Sequence, residues 1–199
     1  MLNAAYLIPA FPMLGFAVLL AVGPRLKGSM AGTVATAASG ASFLAALVTF
    51  AGLLGEDSHH RSVTKVVFEW IPSLDVKVAF LVDPLSMTMV LFVTGVGTLI
   101  HLFAIGYMHG DARFSRFFVY LNLFLAAMLL LVLGDSFLLM FLGWEGVGAC
   151  SYLLISFWFE RDSASTAAKK AFIANRVGDV GLMIAMFVIF SKVGSLTFS

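Results

Sequence analysis

Six long apolar runs separated by short polar breaks organise this chain: Ala4–Val22, Met30–Leu54, Pro84–Tyr107, Phe117–Leu133, Ser136–Phe159 and Ala167–Phe190. Each is near the ~20 residues that an α-helix needs to cross a bilayer, the fourth being short. The one sizeable loop, Gly55–Asp83, has a different rhythm. Val66, Phe68 and Trp70 alternate there with Lys65, Val67 and Glu69. The alternation resumes at Val76, Val78, Phe80 and Val82, beyond Ile71-Pro72-Ser73-Leu74. Period two on either side of a proline-containing break predicts a β-hairpin over 62–82, its apolar face resting on helix ends or on a neighbouring subunit. The expected fold is an all-α polytopic membrane protein of about six transmembrane helices, with one extracytoplasmic β-hairpin between helices 2 and 3.

Composition narrows the class. Of 199 residues, 61% are hydrophobic and only 12% charged, which no soluble domain of this size keeps dissolved. The net charge is +1 without a basic cluster, so a nucleic-acid partner is not expected. The bilayer is the expected surrounding. Ala4–Val22 is followed by Arg25 and Lys27 rather than preceded by positive charge, the reverse of a cleaved signal. With the N-terminus outside a cell membrane, Arg25, Lys27, Arg113, Arg116, Arg161, Lys169 and Lys170 fall on the inner side. Arg61, Lys65, Lys77 and Lys192 fall outside, a distribution that follows the positive-inside rule.

Several polar residues have ordinary explanations. Asp83-Pro84 reads as an N-cap before proline at the first helical position, and Asp135 as the cap of helix five. Cys150 reads as a small packing residue in an apolar helix. Glu56-Asp57-Ser58-His59-His60 reads as a solvated loop, since metal-ligand spacing is not otherwise developed.

Glu145 is different. It lies in the middle of Ser136–Phe159, where no other charged residue occurs. Placing an ionised acid at that depth costs roughly 2.5–3.5 kcal/mol on insertion scales. Such a residue turns toward protein or water, and its usual use is charge transfer. Leu138, Phe141, Gly148, Ala149, Tyr152 and Ser156 share its helical face, with Gly143 and Gly146 close by to admit another helix. A fixed ion pair that only sets helix packing is the competing reading.

Helix six carries a second cluster. Asn175, Arg176 and Asp179 fall on one face, and Arg176 and Asp179 are close enough for an intrahelical pair. That pair reads equally as a transport site or as a self-neutralised structural clasp. Lys169 and Lys170 at the inner end are explained by snorkelling, although Lys169 on the side nearer Asp179 is a further relay candidate. His101, beside Thr94, Gly97 and Thr98, is either a satisfied core histidine or a proton relay. No motif for nucleotide, flavin, haem or an iron–sulfur cluster occurs, and no metal or cofactor ligands are assigned.

Three stretches carry a resemblance: DPLSMTMVLFVTGVGTLIHLFAIGYM, FFVYLNLFLAAMLLLVLGDSFLLMFLGWEGVGACSYLLISFW and KKAFIANRVGDVG. Together they resemble chain L (chain 5) of proton-translocating NADH-quinone oxidoreductase, the antiporter-like membrane-arm subunit of respiratory complex I. The resemblance implies that Glu145 is the family's membrane glutamate on helix five and that Arg176 and Asp179 are its helix-six charged pair. It implies proton movement through that glutamate, a lysine on helix seven, histidines beyond it and a lysine in a second, inverted repeat. Residues 1–199 then read as the N-terminal part of one antiporter-like membrane domain, a fragment or a truncated subunit. NADH, flavin, iron–sulfur clusters and quinone are expected in other subunits, and other membrane-arm subunits as partners. Cation/proton antiporter subunits of the Mrp type share these motifs, and a non-transporting scaffold is the third reading.

Overall fold

The computed structural model describes residues 4–26, 29–56, 61–72 and 76–198. Its elements run α1 (Leu7–Val22), α2 (Met30–Leu54), β1 (Val63–Ile71), β2 (Val76–Val82), α3 (Pro84–Tyr107), α4 (Phe114–Leu133), α5 (Phe137–Ile155) and α6 (Asp162–Val193). Among the described residues, six helices are long and apolar enough to cross a membrane. The expected class therefore holds, with shifted boundaries. α4 begins at Phe114, with Arg113 as its N-cap residue and the charged Arg116 inside its first turn, ahead of the apolar run. α6 begins at Asp162, so its first turns precede the apolar run, while α5 stops at Ile155. Of the Glu56–His60 loop, residues 57–60 lie outside the described residues.

Helices α1 to α4 pack on one another, α5 packs on α4, and α6 lies chiefly on α5. α1 contains Pro12, which has no N–H to donate to the carbonyl of Ile8 one turn back. Ser42 on α2 replaces that donor: its buried hydroxyl bonds the Ile8 carbonyl at 2.6 Å. A helix-breaking residue in a membrane is tolerated where a neighbouring helix re-satisfies the backbone in this way. The α4–α5 crossing depends on missing side chains. A β-carbon on Gly143 would stand 2.6 Å from Leu131 Cα, and one on Gly146 would stand 2.9 Å from Ala127 Cβ. This close approach brings the middle of α5, with Glu145, against the bundle.

β1 and β2 form the expected antiparallel hairpin, but register shifts between Val66 and Phe68 and between Glu69 and Ile71 interrupt the alternation. A bulge turns the strand and breaks period two, and Val66, Val67 and Phe68 are all exposed. β2 is the inner strand, with Val76, Ala79, Phe80 and Val82 buried. The α4–α5 turn adds to its edge, Asp135 N donating to Ala79 O at 3.0 Å. The chain leaving α6 turns at Gly194 (φ 77°) and crosses the other side of that turn. There Phe137 N donates to Leu196 O at 2.9 Å and Phe198 N to Asp135 O at 3.0 Å. The capping assignment shifts by one residue: Ser136, not Asp135, caps α5, its hydroxyl accepting from Leu139 N at 3.2 Å. The Asp83 cap of α3 is as expected, with the Ser86 hydroxyl completing a reciprocal capping box.

At the opposite end, Arg113 grips Glu160 through two nitrogens, at 2.6 and 3.0 Å. Beside it Asp111 accepts from Arg113 N at 2.7 Å and from the Trp158 indole at 3.1 Å. The Arg113 backbone N–H holds the Asp111 carboxyl below its ordinary value, burial opposing. The Arg113 guanidinium does the same for Glu160, and Glu160 in turn raises Arg113. Depressed acids stabilise the fold above their ordinary values and cease to do so as pH falls through the lowered ones.

Two outcomes are expected. Ser42→Ala strands the Ile8 carbonyl and lowers stability in detergent by roughly 1–2 kcal/mol. Adding Pro12→Ala restores the backbone donor, and the double variant recovers most of that loss in a thermal-unfolding assay. The second concerns acid. The loop clasp is unaffected while pH stays above the ordinary values of 3.8 for Asp111 and 4.5 for Glu160, and opens only as pH falls through the lowered values beneath them. Trp158 fluorescence, taken as wild type minus Trp158→Phe, reports that transition.

Candidate functional site

Glu145 lies halfway along α5, and Arg176 lies near the middle of α6. The antiparallel packing of the two helices brings them together. Arg176 Nη1 donates to Glu145 Oε1 at 2.7 Å and lies 2.6 Å from Oε2. The same nitrogen is 3.4 Å from Asp179 Oδ2, one turn further along α6. One guanidinium therefore serves two carboxylates, and with both acids ionised the trio carries a formal charge of −1. A single added proton makes it neutral.

The three members differ in surroundings. Asp179 is buried at 3% exposure, whereas the side chains of Glu145 and Arg176 are 24% and 45% exposed. The Arg176 guanidinium also sits 4.5 Å over the Phe172 ring, whose edge-to-face neighbour at 5.6 Å is Tyr152 of α5. A ring face favours a cation where water is scarce. Trp144, Glu145, Gly148, Phe172, Asn175, Arg176 and Asp179 enclose a void of about 10 Å³. That is near the lower limit for one water molecule.

Trp144 is the member that sequence reasoning missed. Its indole Nε1 donates to Asp179 Oδ1 at 2.8 Å. A tryptophan in an apolar helix reads as packing, and only its adjacency to Glu145 and the α5–α6 register could have pointed to Asp179. The intrahelical Arg176–Asp179 pair is present but is the longer of the two, since the contact across helices to Glu145 is shorter.

The remaining candidates lie apart. His101 is buried in α3, and its Nδ1 donates to Gly97 O at 2.7 Å. Its Nε2 has no hydrogen-bond partner among the described residues. It lines a groove between α3 and α4 with Gly97, Leu121 and Leu125 and touches none of the trio. Lys169 borders an open groove with Ala149, Tyr152, Leu153, Phe172 and Ile173. Asp179 lies ten positions further along the helix, about 15 Å along the axis. Cys150 is fully buried, in keeping with a packing role. Among the described residues, no group of three His, Cys, Asp or Glu side chains could hold a metal.

Comparison with known proteins gives the chain its relatives. Residues 69–118 match the family model described as NADH-ubiquinone oxidoreductase (complex I), chain 5 N-terminus. Residues 134–199 match the model for the membrane region of NADH:quinone oxidoreductase and the Mrp antiporter. NADH-quinone oxidoreductase subunit L of Mycobacterium tuberculosis is 47% identical over 98% of this chain and 31% of its own length. The Escherichia coli subunit L is 42% identical over 99% of this chain and 32% of its own. The chain thus spans about a third of the length of these curated relatives. In fold it is similar to a chain of an archaeal membrane-bound sulfane sulfur reductase, with TM-score 0.80 and 20% identity over 98% of this chain and 29% of that one. It is also similar to a chain of the Mrp complex of Dietzia, with TM-score 0.77 and 21% identity over 96% and 20%. Matched in order by both family models and near-completely by these homologues, the chain belongs to the subunit L/chain 5 family of NADH-quinone oxidoreductase membrane subunits.

Proposed function

We propose that this chain contributes the first charged station of a proton-translocating membrane subunit of NADH-quinone oxidoreductase. The observation that carries the reading is the sharing of Arg176 between Glu145 and Asp179 within two membrane-spanning helices. Two acids and one base can hold a proton without leaving an isolated charge in the membrane. When Glu145 takes up a proton, Arg176 keeps an acceptor in Asp179; when Glu145 releases it, the pair re-forms. Quinone reduction in other polypeptides would drive the exchange by altering the electrostatics along the membrane arm, which requires two states that both sites bias.

The accompanying assignments belong to the same proposal. NADH, flavin, iron–sulfur clusters and quinone are held by other subunits. The subunit is multi-pass in the cell membrane with its N-terminus outside, so that the hairpin is extracytoplasmic and the Arg113–Glu160 clasp faces the interior. Membrane-arm neighbours or further protein cover the side on which Arg176 is half exposed, because a guanidinium facing acyl chains is costly. His101 and Lys169 remain secondary proton-relay candidates.

A second reading is a subunit of a cation/proton antiporter of the Mrp type. The shared family model and the fold likeness to an Mrp complex favour it. Sodium-dependent exchange without NADH separates the two. For the leading reading, Glu145→Gln in the assembled complex is expected to reduce proton pumping several-fold while NADH oxidation persists in uncoupled membranes. Wild-type pumping by that variant removes Glu145 from the mechanism.

A further inference from the structure

We propose that Trp144 is a positioning residue of this site, acting through Asp179; the inference rests on the proton-transfer reading above. Its neighbour Glu145 projects from the same turn of α5 to the same helix, so one turn supplies both an acceptor for Arg176 and a donor for Asp179. The Asp179 carboxylate is held at both ends. The indole N–H takes Oδ1 at 2.8 Å and leaves Oδ2 toward Arg176, 3.4 Å away. Glu145 is held at one end only, both of its oxygens meeting the same guanidinium nitrogen. The two acids therefore have different freedom. Glu145 is the one that can let go, and Asp179 is the fixed acceptor that receives Arg176 when it does.

The buried state of Asp179 makes the indole necessary. At 3% exposure the carboxylate is largely withdrawn from solvent, and Arg176 Nη1 lies on the Oδ2 side. Without the N–H, Oδ1 either stays unsatisfied or turns toward the guanidinium. In the second case Arg176 divides differently between its partners, and the shuttle is biased toward one end. Trp144 itself is 44% exposed among the described residues, while its N–H is directed inward to Asp179. The polar edge is the part of this side chain with a defined partner in the site.

The test is Trp144→Phe in the assembled, membrane-embedded complex, which keeps an aromatic ring and deletes only the donor. Proton pumping is expected to fall by about tenfold relative to NADH oxidation, the ratio that follows from losing one charge-assisted hydrogen bond. Asp179→Leu, which deletes the acceptor, is expected to reduce pumping as well, and adding Trp144→Phe to it to cost little more. The ultraviolet Raman signature of a hydrogen-bonded indole, isolated as wild type minus Trp144→Phe, is expected to vanish in Asp179→Leu, which has no acceptor for the N–H. Pumping unchanged in Trp144→Phe, or fully additive losses in the double variant, would overturn the positioning role. Glu145→Gln run alongside keeps the two ideas apart: if it pumps normally, the proton-transfer reading fails first, whereas a defective Glu145→Gln beside a normal Trp144→Phe sinks this inference alone.

Discussion

A guanidinium between two carboxylates is the arrangement on which the rest of this bundle depends. Each of the three groups alone would be expensive at mid-membrane depth, and a pair gains from its contact only if geometry and remaining hydrogen bonds are good. Here Arg176 meets Glu145 across helices and Asp179 along its own helix, at 2.6 and 3.4 Å. The arrangement requires α5 and α6 to lie close and in one register. It also requires α5 to be pressed to the bundle on its other side, which Gly143 and Gly146 permit against α4. The glycines and the charges in this stretch are thus two parts of one constraint: small residues face α4 so that the acid faces α6.

The same logic governs the ends of the helices. Outside the apolar runs the chain ties α5 and α6 down at both ends. At one end β2, the α4–α5 turn and the segment after Gly194 join by backbone hydrogen bonds. At the other, Arg113 and Glu160 clasp the α3–α4 and α5–α6 connections. α6 otherwise rests chiefly on α5, with Ile173, Val177, Ile184 and Phe187 exposed on its far side. A helix held at its ends and along one stripe can keep register while its central side chains rearrange. That is the mechanical property the proposed charge exchange needs.

Much of this was legible in the sequence, and the reason is physical. A bilayer permits few backbone solutions, so long apolar runs report helices directly, and a charge inside one is conspicuous by its cost. Glu145, Arg176 and Asp179 stand out for that reason, as does the alternation of the hairpin. What could not be read is pairing between segments. Ser42 looks like any small residue of a membrane helix, and only the structure sets it against the carbonyl that Pro12 leaves open. Trp144 looks apolar because its one polar atom is hidden from a hydropathy count. The start of α4 lies three residues before the apolar run because Arg116 interrupts that run without interrupting the helix. Asp135 and Ser136 are adjacent cap formers, and choosing between them needs the backbone path through the turn.

Distance measurement by solid-state NMR in lipid bilayers addresses the shared guanidinium most directly. With arginine labelled at the guanidinium nitrogens and the acidic side chains labelled at carboxyl carbon, Arg176 is expected to show short contacts to both acids. Glu145→Gln and Asp179→Asn would each remove one of the two signals and identify it. Contact to a single acid, or to neither, would contradict the sharing of one base between two helices.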